Sequence, residues 1–455
     1  MTSLLWLRRD LRRSDHPALL AARDAADGDL VVAYVIDPAL WTNAGPARRA
    51  WLAATLEATR AEFDDALTLL WGDPARVVPE LADRVGATSV HVTRETTPFG
   101  RRRDAAVAES LAAGGVEWVE TGTPYAVGPG LVLNGSGTAY KVFTPFAKAW
   151  RAHGWPEPAP RPGELPLRHA GDDDRATRAV RDALDAPDLP DLPPAGEKGA
   201  HARWREFLEN ALTAYATDRN VPGTDGTSRL SPYLKLGVLH PRTLLADLAG
   251  RRGEGAQTYA TEIGWREFYA DVLWHNPSSA WHDLRDALKG MAYDEPTDAI
   301  EAWRTGTTGY PIVDAGMRQL LAEGWMHNRV RMITASFFTK DLHVWWPIGA
   351  RHFLDHLIDG DIASNNHGWQ WVAGTGTDAS PYFRVFNPVT QGEKFDPDGA
   401  YVRRWVPELA HLSGKAAHQP WEHEDGYAQG YPQRIVDHAE ERREALRRLA
   451  EVSGS

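Results

Sequence analysis

The residues best equipped for chemistry lie in four short runs in the second half of a 455-residue chain. In Gly226-Thr227-Ser228-Arg229-Leu230-Ser231-Pro232-Tyr233, hydroxyls, backbone donors and one guanidinium stand just ahead of a helical pattern. That combination suits a phosphate anion, and the same letters also spell a plain turn with a serine cap. In Glu262-Ile263-Gly264-Trp265-Arg266-Glu267-Phe268-Tyr269, helical spacing brings Glu262, Trp265, Arg266 and Tyr269 onto one face. A carboxylate, an indole and a guanidinium together fit a polar pocket with an aromatic wall; a solvated helix with an internal Glu262–Arg266 ion pair fits equally well. The third run, Trp325-Met326-His327-Asn328-Arg329-Val330-Arg331-Met332, sets Asn328, Arg331 and Met332 on one face and turns Arg329 about 100° away from Asn328. Asparagine can read base edges and arginine can hold phosphates or buried carboxylates, while either can also be a cap or a surface charge. The densest run spans residues 359–371, where Asp361, Asn365 and Trp369 succeed one another at i+4 along one side of a helix. Trp369 and Trp371 fall about 200° apart, so one indole can face inward while the other faces a cleft.

Several chemistries lack their residues. There is no cysteine, so disulfides, thiolate metal sites and cysteine nucleophiles are excluded. His352 and His356 stand at i, i+4 near Asp355 and Asp359, but H-E-x-x-H is absent and no metal site is expected. Neither G-x-S-x-G nor G-x-x-x-x-G-K-[ST] occurs, which removes the usual hydrolase and nucleoside triphosphatase anchors. The balance of 50 basic against 62 acidic residues gives a net charge of −12, which argues against coating nucleic acid by bulk charge but leaves room for a local basic groove. Tryptophan is the anomaly: 19 residues, nine of them between Trp265 and Trp371. Such rings fill cores, and they also stack on bases and flat cofactors. With no long apolar window and no apolar signal segment at its start, the chain is expected to be cytoplasmic and without membrane contact. A monomer is expected as well.

Two kinds of element must position these groups. Short β-rich runs at 4–7, 30–36, 67–71, 89–93 and 116–119 alternate with helical stretches at 17–26, 47–66, 74–85 and 101–113. That alternation predicts a doubly wound, parallel five-stranded sheet, with ligand space beyond the strand ends near residues 8–10, Asp37 and 94–95. No G-x-G-x-x-G opens a helix there. Residues 155–200 turn rich in Pro, Asp and Gly and read as a surface connector with one helix at 175–184. Beyond His201 the pattern is helical through 204–215, 258–274, 312–321, 330–338 and 352–357. The fold class is therefore α/β plus all-α: an α/β domain at 1–125, a linker at 126–200 and a helical domain at 201–455.

Taken together, residues 227–232, 262–269, 324–336 and 357–395 resemble the photolyase/cryptochrome family, and specifically its microbial cyclobutane pyrimidine dimer DNA photolyases. The run Thr375-Gly376-Thr377-Asp378-Ala379-Ser380-Pro381-Tyr382-Phe383-Arg384 is similar to that family as well, and the likeness extends from Leu4 to about Glu440. The resemblance implies FAD in a folded conformation inside the helical domain, active when fully reduced and anionic. It implies that Tyr215, Thr227, Ser228, Arg229, Leu230 and Ser231 hold the phosphates and nearby groups, that Tyr259, Glu262, Arg266 and Asn328 flank the cofactor, and that Arg331 and Asp359 pair beside its ring system. Asp361 would accept from the flavin's polar edge and Asn365 would sit at N5, where an amide can adapt to either protonation state.

The implied reaction is light-driven repair: excited reduced FAD donates an electron to a flipped-out dimer in UV-damaged DNA, the cyclobutane ring opens and the electron returns. Glu262 and Asn328 would hydrogen-bond the pyrimidines, Trp265 and Trp371 would wall the pocket and Met332 would pack on the lesion. Arg219, Arg329, Arg384, Gln391 and Lys394 would follow the DNA strand, and Trp369, Trp346 and Trp303 would relay electrons to the flavin, with Trp345 an additional neighbour. An antenna chromophore is implied for the α/β domain. Phe99 and Gly100 replace the Asn-Glu pair of folate-type relatives, so an 8-hydroxy-5-deazaflavin is favoured over folate, with Arg48, Glu95 and Lys235 as its contacts. A cryptochrome-like photoreceptor is the rival reading; Asn365 and the absence of a tail after Ser455 speak against it. Repair of (6-4) photoproducts is disfavoured because neither Asn328 nor Met332 is histidine, and a plain flavin redox protein leaves the Glu262/Trp265 and Asn328/Met332 faces unexplained.

Overall fold

The computed structural model describes residues 1–377 and 383–453, so Asp378 to Tyr382 of the run noted above lie outside the described residues. All five expected strands form: β1 (Thr2–Leu7), β2 (Leu30–Ile36), β3 (Leu67–Trp71), β4 (Ala87–Val92) and β5 (Glu117–Glu120). They are parallel in the order β3-β2-β1-β4-β5. β1 and β2 are apolar along most of their length, as expected where helices cover both faces of a parallel sheet. Winding reverses between β1 and β4, and the crevice beyond their carboxyl ends is the position such a sheet offers to ligands.

The intervening helices are α1 (Pro17–Ala25), α2 (Pro38–Trp41), α3 (Pro46–Glu62), α4 (Pro74–Val85) and α5 (Pro98–Ala113). Each opens on a proline, whose missing N–H would have had no partner in the first turn anyway. The expected boundaries shift for local reasons. Helix α3 stops at Glu62, ahead of Asp64 and Asp65, which take left-handed φ of 53° and 60°. Helix α5 starts at Pro98 because Thr97 caps it, accepting from the Gly100 N–H.

Next come α6 (Phe143–His153), α7 (Asp174–Leu184) inside the connector, α8 (Gly196–Asn210), α9 (Tyr215–Asp218), α10 (Ser231–Leu236), α11 (Pro241–Ala249) and α12 (Glu254–His275). Then follow α13 (Thr297–Thr305), α14 (Pro311–Glu323), α15 (Asn328–Ser336), α16 (Trp346–His356), α17 (Ile362–Ala373), α18 (Pro388–Phe395), α19 (Ala400–Trp405), α20 (Lys415–His418) and α21 (His438–Ser453). The single helix expected over 204–215 is divided between α8 and α9, and the one expected over 330–338 leaves α-geometry after Ser336 for a π turn at Phe337–Asp341.

The chain forms two compact units. The first comprises Met1–Tyr140, Thr144–Asn210 and Ser228–Pro277; the second comprises Lys141–Phe143, Ala211–Thr227 and Ser278–Ser455. This division differs from the boundaries that composition suggests, since α10 to α12 belong with the sheet. The reason lies on one face of α12. Glu267 accepts the N–H groups of Ala126, Val127 and Gly128, Asp271 accepts that of Gly130 at 2.8 Å, and Arg266 donates to the Pro124 carbonyl at 3.0 Å. The chain leaving β5 is thereby laced to a helix more than a hundred residues on. In the second unit, α13 to α19 enclose a core that includes Trp303, Tyr310, Met317, Met326, Phe338, Trp346, Phe353 and Trp369.

Candidate functional site

The residues expected at a cofactor fall in both units. In the first, Ser228 is buried and its hydroxyl meets the Tyr259 phenol at 2.8 Å, while Arg203 holds the Ser228 carbonyl at 3.0 Å. The Leu230 N–H donates to Ser228 Oγ at 3.3 Å, and Arg229 takes a left-handed φ of 50°, so the run turns sharply before α10 starts at Ser231. Tyr259 packs on Trp204 and Phe207 at 5.2 and 5.0 Å between ring centroids. Burial, with the Glu262 charge adding to it, holds the Tyr259 phenol protonated far above its ordinary range. On the same helix, half-buried Trp265 leans on Phe268 and Tyr269, with Glu262 one turn earlier. Arg266 departs from the shared polar face: its guanidinium binds the carbonyls of Pro124 and Leu234 and lies 4.3 Å from the Tyr125 ring centroid.

In the second unit Tyr215 is buried in α9, followed by half-buried Thr227 at the end of that segment. Arg331 and Asp359 form a two-pronged ion pair at 2.8 and 3.2 Å, and Arg331 Nε also donates to the Met326 carbonyl. Asp361 caps α17, accepting the N–H groups of Ala363 and Ser364 at 3.1 and 3.0 Å. One turn on, Asn365 donates its amide to Ala350 O and Asn366 Oδ1, and its own Oδ1 accepts from no group among the described residues. Asn328 is exposed at the first turn of α15, where His327 caps the helix. Met332, one turn later, is half-buried with its sulfur 3.7 Å from Arg329.

The indole pair of α17 divides as its spacing requires: Trp369 is buried and Trp371 half-exposed. Trp369 packs edge-on to Trp303 with centroids 6.0 Å apart, and its ring presses on Gly349, where a Cβ would come within 2.3 Å. Trp346 makes no ring contact with either of the other two; its Nε1 donates to Asp283 at 2.6 Å. Trp303 is fully buried, donating to the Thr334 carbonyl, so the indole of this group that reaches solvent is Trp345, 37% exposed.

Cations gather in the same unit around Phe395. Arg329 lies 4.4 Å and Lys394 5.2 Å from the centre of that ring, and Arg329 also donates to Asn220 at 2.6 Å. Burial and then the charge of Arg219 lower the pKa of Arg329, which places these two arginines within electrostatic reach. Gln391 precedes Lys394 by one turn of α18, and Arg384 is exposed on the segment before that helix. Among the described residues no helix is long and apolar enough to cross a membrane, and no cluster is arranged to hold a metal ion.

Residues 259–451 match the sequence model for the FAD binding domain of DNA photolyase, and residues 3–163 that for DNA photolyase. The chain is 37% identical to a deoxyribodipyrimidine photo-lyase of Escherichia coli (strain K12), with 98% of each covered, and 40% identical to one of Streptomyces griseus, with 95% of this chain and 96% of the relative covered. The chain belongs to the DNA photolyase family. A crystal structure of a bacterial class III photolyase from Agrobacterium tumefaciens superimposes with a TM-score of 0.91 at 36% identity, covering 100% of this chain and 98% of that one. As a family member the chain carries a photolyase FAD-binding domain, and the second unit's own groups suit a flavin: an amide oxygen left uncommitted on Asn365 and a guanidinium steadied by Asp359. The first unit, taken by itself, offers buried hydroxyls on Ser228 and Tyr259.

The photolyase sheet also shows where the expected antenna contacts stand. Glu95 follows β4 and is buried; burial opposes its charge, but Arg9 and Arg103 and the N–H groups of Thr96 and Thr97 bring its carboxyl down to about 2. Gly100 is required beside it, since a Cβ would lie 2.0 Å from Glu95 Cγ. Arg9 also reaches the Lys235 carbonyl at 3.4 Å, so Glu95 and Lys235 gather around one guanidinium past the end of β1. Arg48 is half-buried on α3. Sequence reasoning passed over Glu267 and Asp271, whose anchoring of residues 126–130 carries no local motif, and over Phe395 as the centre of the basic patch, which aromatic spacing on α18 alone does not signal.

Proposed function

We propose that this protein repairs cyclobutane pyrimidine dimers in UV-damaged DNA, acting as a deoxyribodipyrimidine photo-lyase with reduced, anionic FAD. The observation that carries the reading is the second unit's α15–α17 group, an Arg331–Asp359 ion pair on elements that also present Asn365 with a free amide oxygen. Bound and reduced, FAD supplies the light-driven electron that opens the cyclobutane ring and takes it back. The chain's residues bind, orient and exclude water. Tyr215, Thr227, Ser228, Arg229, Leu230 and Ser231 hold the phosphates and their surroundings; Tyr259, Glu262, Arg266 and Asp361 border the cofactor. Arg331 would stabilise negative charge on the flavin ring, and Asn365 Oδ1 would accept a hydrogen bond from N5–H.

The dimer has to leave the duplex to reach such a pocket, an extrusion already known for photolyases among base-flipping enzymes. Glu262 and Asn328 then hydrogen-bond the pyrimidines, with Trp265, Trp371 and Met332 as apolar walls. Arg219, Arg329 and Lys394, supported by Arg384 and Gln391, hold the flanking phosphates, concentrating positive charge on a molecule of net −12. Trp369, Trp346 and Trp303 serve the flavin's photoreduction. Residues 1–125 house a deazaflavin-type antenna at Arg48, Glu95 and Lys235, and the enzyme works as a monomer. The test offers the reduced protein two oligonucleotides, one with a thymine cyclobutane dimer and one with a (6-4) photoproduct, and follows both by chromatography under blue light. Loss of the first lesion alone supports the proposal; reversal of the second, or of neither, contradicts it.

A further inference from the structure

A cavity of ≈ 640 Å³ opens in the first unit at the carboxyl ends of β2 and β3. Since β3 is the edge strand, this cavity is separate from the β1/β4 switch point where the antenna contacts gather. Its walls carry Trp41 at the end of α2, Trp71 at the end of β3, Arg49 on α3, and Arg175, Arg178 and Asp182 on α7. The two indoles meet edge to face with centroids 6.4 Å apart, and the Arg175 guanidinium lies 4.5 Å from the Trp71 ring centre. Arg175 and Arg178 are three residues apart and share one face of α7. Arg49 follows Arg48 on α3 and points about 100° away from it, so the two serve different sides of that helix.

Charge makes the cavity unusual. Neighbouring arginines are paired, Arg60 with Asp172 at 2.9 Å and Arg181 with Asp182 at 3.6 Å. Arg49, Arg175 and Arg178 have no carboxylate or hydrogen-bond partner for their side chains among the described residues. Three unneutralised guanidiniums thus face one space with a single carboxylate, beside two indoles. Guanidinium forks match phosphate and carboxylate oxygens, and indole faces receive flat rings. The volume lies within the roughly 300–1,000 Å³ of small-molecule sites. We infer that this cavity binds a flat aromatic anion of mononucleotide size, its ring on the Trp41–Trp71 pair and its acidic group on Arg49, Arg175 and Arg178. The function proposed above uses none of these residues.

The test is a calorimetric titration of the full-length, flavin-loaded protein with AMP, adenosine and inorganic phosphate. It involves neither light nor DNA, so its outcome is independent of repair. AMP binds, and adenosine and phosphate each bind at least about tenfold more weakly, because each keeps only one half of the recognition. Exchanging both exposed arginines, Arg175→Ala with Arg178→Ala, weakens AMP by about tenfold or more while flavin content and melting temperature hold. Trp71→Leu weakens AMP but leaves phosphate binding as it was. Phosphate binding as tightly as AMP would reduce the cavity to a charge patch and overturn the inference. So would AMP binding that survives the double arginine exchange, or no saturation at millimolar AMP.

Discussion

Arg331 and Asp359 allow folding and cofactor binding to be separated. The guanidinium grips both carboxylate oxygens at 3.2 and 2.8 Å, and the Asp359 side chain is 3% exposed against 23% for Arg331. Arg331→Met strands a buried carboxylate without its counter-charge, a loss of about 3–5 kcal/mol for a pair of this kind. At roughly 2–4 °C per kcal/mol for a unit of this size, the melting temperature falls by roughly 6–20 °C. Adding Asp359→Leu replaces the pair with apolar groups, an exchange that is often neutral or stabilising by about 1–4 kcal/mol, so the double variant melts within a few degrees of the parent. Flavin retention behaves differently, because neither variant offers the flavin a cation. Thermal unfolding by circular dichroism, with and without added FAD, and flavin absorbance per chain read the two effects. A single variant that melts like the parent refutes the buried-pair argument; a double variant that keeps its full flavin refutes the pair's place beside the cofactor.

Three other substitutions probe separate parts of the account. Trp369→Phe slows photoreduction of the flavin, followed by its absorbance under blue light with a thiol donor, and leaves repair by prereduced enzyme nearly intact; equal losses reject the relay. Glu262→Ala lowers the repair yield per absorbed photon more than it lowers flavin content, and an unchanged yield removes its part in holding the lesion. Lys394→Ala and Arg329→Ala each weaken DNA of any sequence and reduce the slope of log affinity against log salt by about 1, measured by fluorescence anisotropy. A slope equal to the parent's takes that residue off the phosphates.

The sheet was legible because short β-rich runs alternated with helical patterns, and β1 and β2 inside it are largely apolar, as parallel strands buried on both faces must be. The α17 group was legible too, since Asp361, Asn365 and Trp369 recur at one helical spacing, and the helix that forms from Ile362 with Asp361 as its cap keeps that spacing. Longer-range partnerships were not. Arg266 was readable as sharing a face with Glu262, yet its hydrogen bonds run to carbonyls 142 and 32 residues away, which no local pattern encodes. The same blindness applies to Glu267 and Asp271, whose backbone partners lie across the sequence and move the unit boundary to Pro277. Trp303 could be named by resemblance, but which indole of its group reaches solvent was not readable, and only burial separates Trp303, fully covered, from exposed Trp345.

The most direct measurement takes one preparation in two redox states, flavin reduced and flavin oxidised, and mixes each anaerobically with a thymine-dimer oligonucleotide in the dark and in blue light. The account predicts that thymine absorbance returns only in the illuminated, reduced sample and stops when the light stops. Recovery in the dark, or none in the illuminated reduced sample, contradicts it.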